Sequence, residues 1–246
     1  MRDSRRRFAR GCLAVFTAVA ARGALSVRRV DERTVSYPRA RLTDARGEPL
    51  DARGLSVGET YVFHYPYIST PCFLMDLGEA VVREQELVTR DGAHYRWQGG
   101  VGPRKSIVAY SAICAHRLTY PSPQVSFIAY RHRKARFLDL QDRPKSQSGV
   151  IVCCSEHSVY DARAGARVLG GPAPQPLATI VLEYRPDEAG ALYAVGARGA
   201  VLFDRFFRAF RFRLSLDYGT DQVDRLVEGR TRVLPLSEYT RNPIMC

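Results

Sequence analysis

Two short stretches of the chain pair a cysteine with a histidine at ligand spacing: Cys114-Ala115-His116 and Cys154-Ser155-Glu156-His157. Each follows a strand-like apolar run, residues 106–110 and 149–153, and each enters a loop. Two such loops can converge on one centre and bring it two thiolates and two imidazoles. Thiolates suit the soft iron of an iron–sulfur cluster. Exchanging two of them for neutral imidazoles on one iron removes negative charge and raises the potential to about −150 to +300 mV, against about −400 mV for a plant-type cluster. The same four residue types also make a structural zinc set, so the pairs alone leave both metals open.

The elements that must hold these loops are mostly strands. From Val27 to about Val201 the chain runs in short apolar or alternating segments broken by turn residues. Candidate strands cover residues 60–65, 72–75, 94–97, 106–110 and 149–153, all rich in β-branched and aromatic side chains. Residues 178–184 and 191–195 follow, and the turn-rich stretch Arg185 to Gly190 between them predicts a hairpin. Residues 202–216 differ: Phe203, Phe206, Phe207, Phe210 and Phe212 approximate helical spacing, which predicts a short amphipathic helix or an aromatic lid over the sheet. Beyond Asp217 the chain reads as a polar, basic tail.

The formal charge of +12 over 246 residues is concentrated in two places. Residues 1–30 hold eight arginines against one aspartate, and residues 131–145 hold six Lys or Arg against two Asp. The first cluster has an export explanation. Ser4-Arg5-Arg6-Arg7-Phe8 precedes an apolar run from Gly11 to Ala21, and Ala18-Val19-Ala20 offers a small-residue cleavage site, the pattern of a twin-arginine signal. The run is about half the length of a spanning helix, so cleavage is favoured over a retained anchor. The second cluster, with Arg131-His132-Arg133-Lys134-Ala135-Arg136, falls in a predicted loop, either a solvated surface or a dock for an acidic redox partner or an anionic membrane surface. With both clusters accounted for, nucleic acid is not an expected partner.

After His157 the chain continues Ser158-Val159-Tyr160-Asp161, then Gly165, then Gly170-Gly171-Pro172-Ala173-Pro174. This combination resembles the Rieske proteins of the cytochrome bc₁ and b₆f complexes, strongly over residues 111–178 and faintly elsewhere. In that family the second ligand loop runs C-x-x-H and then S-x-Y-D with an intervening glycine, and a G-P-A-P loop covers the cluster. Against that pattern one residue between His157 and Ser158 is missing here.

The resemblance implies an all-β fold, a Rieske-type antiparallel β-sandwich with a small cluster-binding subdomain of two loops. It implies one [2Fe-2S] cluster held by Cys114, His116, Cys154 and His157, with Ser158, Tyr160, Gly171 and Pro172 around it. Hydroxyls of Ser158 and Tyr160 would donate to a bridging sulfide and a ligand thiolate; an ordinary buried tyrosine is the alternative. The family's disulfide positions are occupied by Thr119 and Glu156, so that disulfide is absent, and Cys153 is expected to be a buried spectator thiol. The 37 residues from Arg117 to Cys153 exceed the family's usual connection.

The expected organisation is a signal segment over residues 1–26, a Rieske domain over 27–215 with its cluster subdomain at about 111–178, and a tail over 216–246. The expected role is one-electron transfer in the periplasm, with no catalysis of its own, as a carrier or as the Rieske subunit of a larger oxidoreductase. The partner would be a cytochrome or an oxidoreductase subunit, with quinol contact and membrane association as further options. A zinc-stabilised binding module is the rival. A Rieske oxygenase component is disfavoured, because His64, His94 and His132 lie too far apart to form a second iron site.

Overall fold

The structure is a computed structural model that describes residues 34–246, so the signal segment expected at residues 1–26 lies outside the described residues. The chain is mostly β, as the alternating segments predict. In chain order the strands are β1 (Val35–Thr43), β2 (Tyr61–His64), β3 (Pro71–Asp76), β4 (Gln85–Val88), β5 (His94–Trp97) and β6 (Ile107–Ser111). Next come β7 (Ile128–Arg131), β8 (Ala135–Leu138), β9 (Pro144–Gln147), β10 (Val150–Cys153), β11 (Ser158–Asp161) and β12 (Arg167–Gly170). The chain closes with β13 (Thr179–Arg185), β14 (Ala191–Arg198), helix α1 (Val201–Tyr218), β15 (Gly229–Arg232), β16 (Leu234–Pro235) and the short helix α2 (Leu236–Tyr239).

The large sheet has eight strands in the order β15-β1-β14-β13-β6-β3-β2-β16. Its neighbours pair antiparallel except β1 and β15, which run parallel. The sheet curls until its two ends meet, where the Thr231 hydroxyl donates to the His64 carbonyl at 2.9 Å. β3 and β6 are buried at every position, so their near-continuous apolar sequences are covered on both faces. The segment expected to be a tail supplies β15 and β16, so it forms part of this sheet.

A second sheet, β12-β11-β10-β7, holds the cysteine-rich region. It leans on the first through Tyr110, whose hydroxyl donates to the Ala162 carbonyl at 2.8 Å. The basic insertion is not the predicted loop: β8 and β9 form a hairpin, paired Ala135 with Gln147 through Leu138 with Pro144. Its turn is held by Asp139, which accepts from the backbone N–H groups of Gln141 and Arg143. The alternating Arg136 and Phe137 put charge on one face and the apolar ring on the other, against Val152 and Val159.

Helix α1 forms where the phenylalanine spacing predicts it. Phe203, Phe206 and Phe207 are buried, while Phe212 points away from them and is 78% exposed. The buried rings meet Tyr67 and Tyr120 edge-on, with Tyr120 and Phe206 centroids 5.0 Å apart. Gly219 ends the helix at φ 64°, a left-handed conformation that glycine adopts without strain. Among the described residues no helix is long and apolar enough to cross a membrane.

Candidate metal centre

The first ligand loop leaves β6 and turns back on itself, with the Cys114 N–H donating to the Thr119 carbonyl and the Leu118 N–H to the Cys114 carbonyl. Arg205 of α1 reaches over it and donates to the carbonyls of Ala115 at 3.2 Å and His116 at 3.4 Å. Those bonds, with the Tyr120–Phe206 contact, fix the loop to the helix. Cys114 is fully buried in the main core, and His116 presents a buried Nδ1 that has no hydrogen-bond partner.

The second loop is the four-residue turn from β10 to β11. Cys153 pairs with Ser158 across its base, and Ile151 with Tyr160 one step further. Paired residues share a face, so Ile151, Cys153, Ser158 and Tyr160 all point toward the first loop. Val150, Val152 and Val159 point the other way, into a small separate core that also packs Cys154.

This parity decides where the four expected ligands go. Cys114 and His116 lie on the inner side, as expected. Cys154, expected as a ligand, is on the outer side, where it forms a disulfide with Cys246. His157 is exposed and borders an outer cleft with Val152, Val159, Phe137 and Cys246. The structure therefore does not bring Cys114, His116, Cys154 and His157 together. Among the described residues no three His, Cys, Asp or Glu side chains stand as a closed metal-binding group.

The thiol that does meet Cys114 is Cys153, the expected spectator. The two buried sulfurs are hydrogen-bonded to each other. Cys114 is driven below the ordinary thiol range by that bond, against the effect of burial and helped by the Tyr160 hydroxyl and the His116 backbone N–H. Its partner is driven upward by the same bond and by burial, while the N–H groups of Ser155 and Glu156 pull it back.

Tyr160 lies beside the first loop. Its oxygen accepts the Ala115 N–H at 3.1 Å and lies 3.2 Å from Cys114 Sγ, so its own proton is free to point at sulfur. Ser158 Oγ is fully buried with no partner of good geometry. Gly171, at φ 76°, packs behind the second loop, where a Cβ would come within 2.3 Å of the His157 carbonyl oxygen. Pro172 beside it is exposed.

No family model matches the chain. A curated relative is the iodate reductase subunit IdrB of Denitromonas iodatirespirans, 28% identical over 148 residues; the match spans 60% of this chain and 60% of that protein. Among solved structures, the soluble domain of the Rieske protein II (soxF) from Sulfolobus acidocaldarius is 27% identical, covering 65% of this chain and 78% of that one with a TM-score of 0.44. The chain spans about 60% of the length of the curated relative that it matches. The second loop carries Ser158 and Tyr160 and is joined to the C-terminal segment by the Cys154–Cys246 disulfide. The ligand spacing singled out neither Cys153, which meets Cys114, nor Cys246, which bonds Cys154. The strand alternation held the signal for the first, because Ile151 and Cys153 must share a face.

Proposed function

We propose that this chain is an exported one-electron carrier, the Rieske-type subunit of a larger oxidoreductase, and that it binds one [2Fe-2S] cluster between its two loops. The observation that carries the reading is the juxtaposition of Cys114 and Cys153, two buried thiols from separate loops. Backbone N–H groups and the Tyr160 hydroxyl are already directed at their sulfurs. His116 Nδ1, buried and unpartnered, is a polar group whose burial needs a partner that the protein does not supply. Cys114, Cys153 and His116 suit three of the group's four ligand positions, with Cys153 in the place expected for Cys154. When bound, such a cluster takes up and releases one electron. The chain's own part is to hold the sulfurs, donate hydrogen bonds to them and exclude water.

Export is supported by the Cys154–Cys246 disulfide, since such bonds persist in oxidising compartments, and by the twin-arginine pattern at residues 4–8. We place the protein in the periplasm or on the periplasmic side of the inner membrane. An oxidoreductase partner is supported by the relative that is itself a reductase subunit. The basic hairpin residues Arg133, Lys134 and Arg136 border a cleft with Cys246, which places positive charge close to the second loop for an acidic partner. Nothing in the site requires quinol or a lipid surface.

The test is iron, sulfide and zinc analysis of purified protein, with an EPR spectrum after reduction. Two irons and two sulfides per chain with a rhombic signal support the proposal. Zinc without iron overturns it in favour of a structural module.

A further inference from the structure

Helix α1 carries a line of side chains that the fold does not use. Val201, Arg205, Arg208, Phe212 and Leu216 follow one another at intervals of four, three, four and four residues, which sets them close to one line along the helix. Phe203, Phe206, Phe207 and Leu214 lie on the opposite side, in the core. The outer line combines arginine with large apolar side chains: Phe212 is 78% exposed and Leu216, one turn on, is 68% exposed. Single exposed apolar residues are ordinary, but an aromatic and a leucine set together beside guanidinium groups have the composition of an interface.

We propose that the redox partner docks on this face, setting acidic side chains against Arg90, Arg205 and Arg208 and an apolar contact over Phe212 and Leu216. The proposal rests on the electron-carrier reading and gives that partner its place on the chain.

The distribution of charge points to an acidic protein. On the second half of the helix the arginines are already satisfied, Arg211 by Asp224 and Arg213 by Asp217 at 3.6 Å. Arg205 and Arg208 have no carboxylate partner among the described residues, and Asp204, the acid in the first turn, pairs with neither. Arg90, at the turn between β4 and β5, adds a third positive charge. Burial, together with the charges of Arg90 and Arg208, holds Arg205 below its ordinary pKa. Cations gathered without a counter-charge repel one another, and carboxylates brought against them relieve that repulsion. An anionic bilayer fits the face less well, because it needs free cations around the inserted apolar groups, and the two arginines that flank Phe212 are neutralised.

The face is also tied to the candidate centre. Arg205 is the residue that donates to the carbonyls of Ala115 and His116, so a carboxylate on its remaining N–H groups stands one side chain away from the first ligand loop. Arg90 is held through its backbone N–H, which donates to Gln175 Oε1 at 3.1 Å, and Gln175 lies three residues after Pro172. A partner seated on these arginines is thus placed against the loop that carries Cys114 and His116. The basic hairpin of β8 and β9 belongs to the second loop's outer side and offers no such contact with the first.

Photo-cross-linking in cells that make the protein naturally tests the face. A tagged full chain carries p-benzoylphenylalanine in place of Phe212, and a second carries it in place of Leu140, which is 59% exposed at the turn between β8 and β9. Adducts are identified by mass spectrometry, and iron and sulfide are measured on the same preparations. Position 212 is expected to capture a protein that holds its own redox cofactor, through a peptide rich in Asp and Glu. Arg208→Glu, at an exposed position, should cut the yield of that adduct roughly tenfold, the loss expected for one strong interface contact. An adduct from position 140 alone would move the dock to the hairpin and overturn the proposal. Lipid adducts or no adduct from position 212, or a yield indifferent to Arg208→Glu, would overturn it as well. Each of those results leaves the carrier reading intact when iron and sulfide are present. Protein without iron and sulfide overturns the carrier reading and the proposal with it, so metal content tells the two failures apart.

Discussion

Cys153 and Ser158 close the second loop as a directly opposed pair, and both face Cys114. A pair that closes a four-residue hairpin turn fixes the side of every residue in the adjoining strands. The inward set includes Tyr160, whose hydroxyl contacts Cys114 Sγ at 3.2 Å, and the outward set includes Cys154. The chemistry of the site follows from that alternation more than from the spacing of cysteine and histidine in the sequence.

On the proposed reading, removing the Tyr160 hydroxyl deletes a donor to the Cys114 thiolate, whose negative charge would increase on reduction. Such a bond is worth about 1–2 kcal/mol more to the reduced state, roughly 40–80 mV for one electron. Tyr160→Phe is therefore expected to lower the midpoint potential by that amount with iron content retained. The variant also leaves the Ala115 N–H without its acceptor. Redox titration followed by EPR measures the shift, and an unchanged potential would show that the hydroxyl serves only the backbone.

The first loop was legible in the sequence because its cysteine and histidine follow a strand whose length is unambiguous. The second was not, because Cys153 and Cys154 stand side by side and either satisfies a cysteine–histidine spacing. Only strand pairing distinguishes them, and pairing is a tertiary fact. The bond from Cys154 to Cys246 spans 92 residues and leaves no local signature. β8 and β9 were hidden for a different reason: exposed hairpins carry charge, and the basic run masked a short alternation around Phe137. β15 and β16 are strands only because an existing sheet edge accepts them.

Gly171 supports the second loop from behind. An added Cβ would meet the His157 carbonyl oxygen at 2.3 Å and Ser158 Cα at 2.7 Å, both backbone atoms that have no room to yield, on a residue at φ 76°. Gly171→Ala is expected to destabilise the fold by about 2–3 kcal/mol and to push the loop toward Cys114. Chemical denaturation reads the first effect. Faster loss of iron on exposure to a chelator reads the second.

His64 ties the sheet to both helices, with Nε2 at 2.9 Å from the Tyr218 hydroxyl and 3.3 Å from that of Tyr239. Burial lowers its pKa from 6.5 to about 4. Between those values the unfolded chain binds a proton that the folded chain refuses, so stability rises with pH across the window. The contribution is complete above about pH 6.5 and is lost as pH falls toward 4. It amounts to about 2 kcal/mol after allowance for partial solvation. Urea midpoints at pH 7 and pH 4.5 should differ by that much more in the unaltered protein than in His64→Gln, which keeps a hydrogen-bonding side chain and does not titrate.

The Cys154–Cys246 disulfide joins the second loop to the C-terminal segment. The C-terminal segment of residues 241–246 lies along residues 123–126, bonded through Arg241 N–H to the Pro123 carbonyl and Ile244 N–H to the Ser126 carbonyl. Covalent closure at Cys246 then fixes the outer side of the second loop, while Cys153 faces the inner side. Cys246→Ser removes the cross-link from a loop of 92 residues and is expected to cost about 2–4 kcal/mol of stability. Its effect on the site should be kinetic: the four-residue turn opens more often, and iron is lost faster to a chelator at unchanged initial content. If Cys154 were instead a metal ligand, Cys154→Ser would abolish iron binding while Cys246→Ser would not disturb it. Equal, partial effects of the two substitutions, with the same mass shift on reduction abolished in both, are what the disulfide requires.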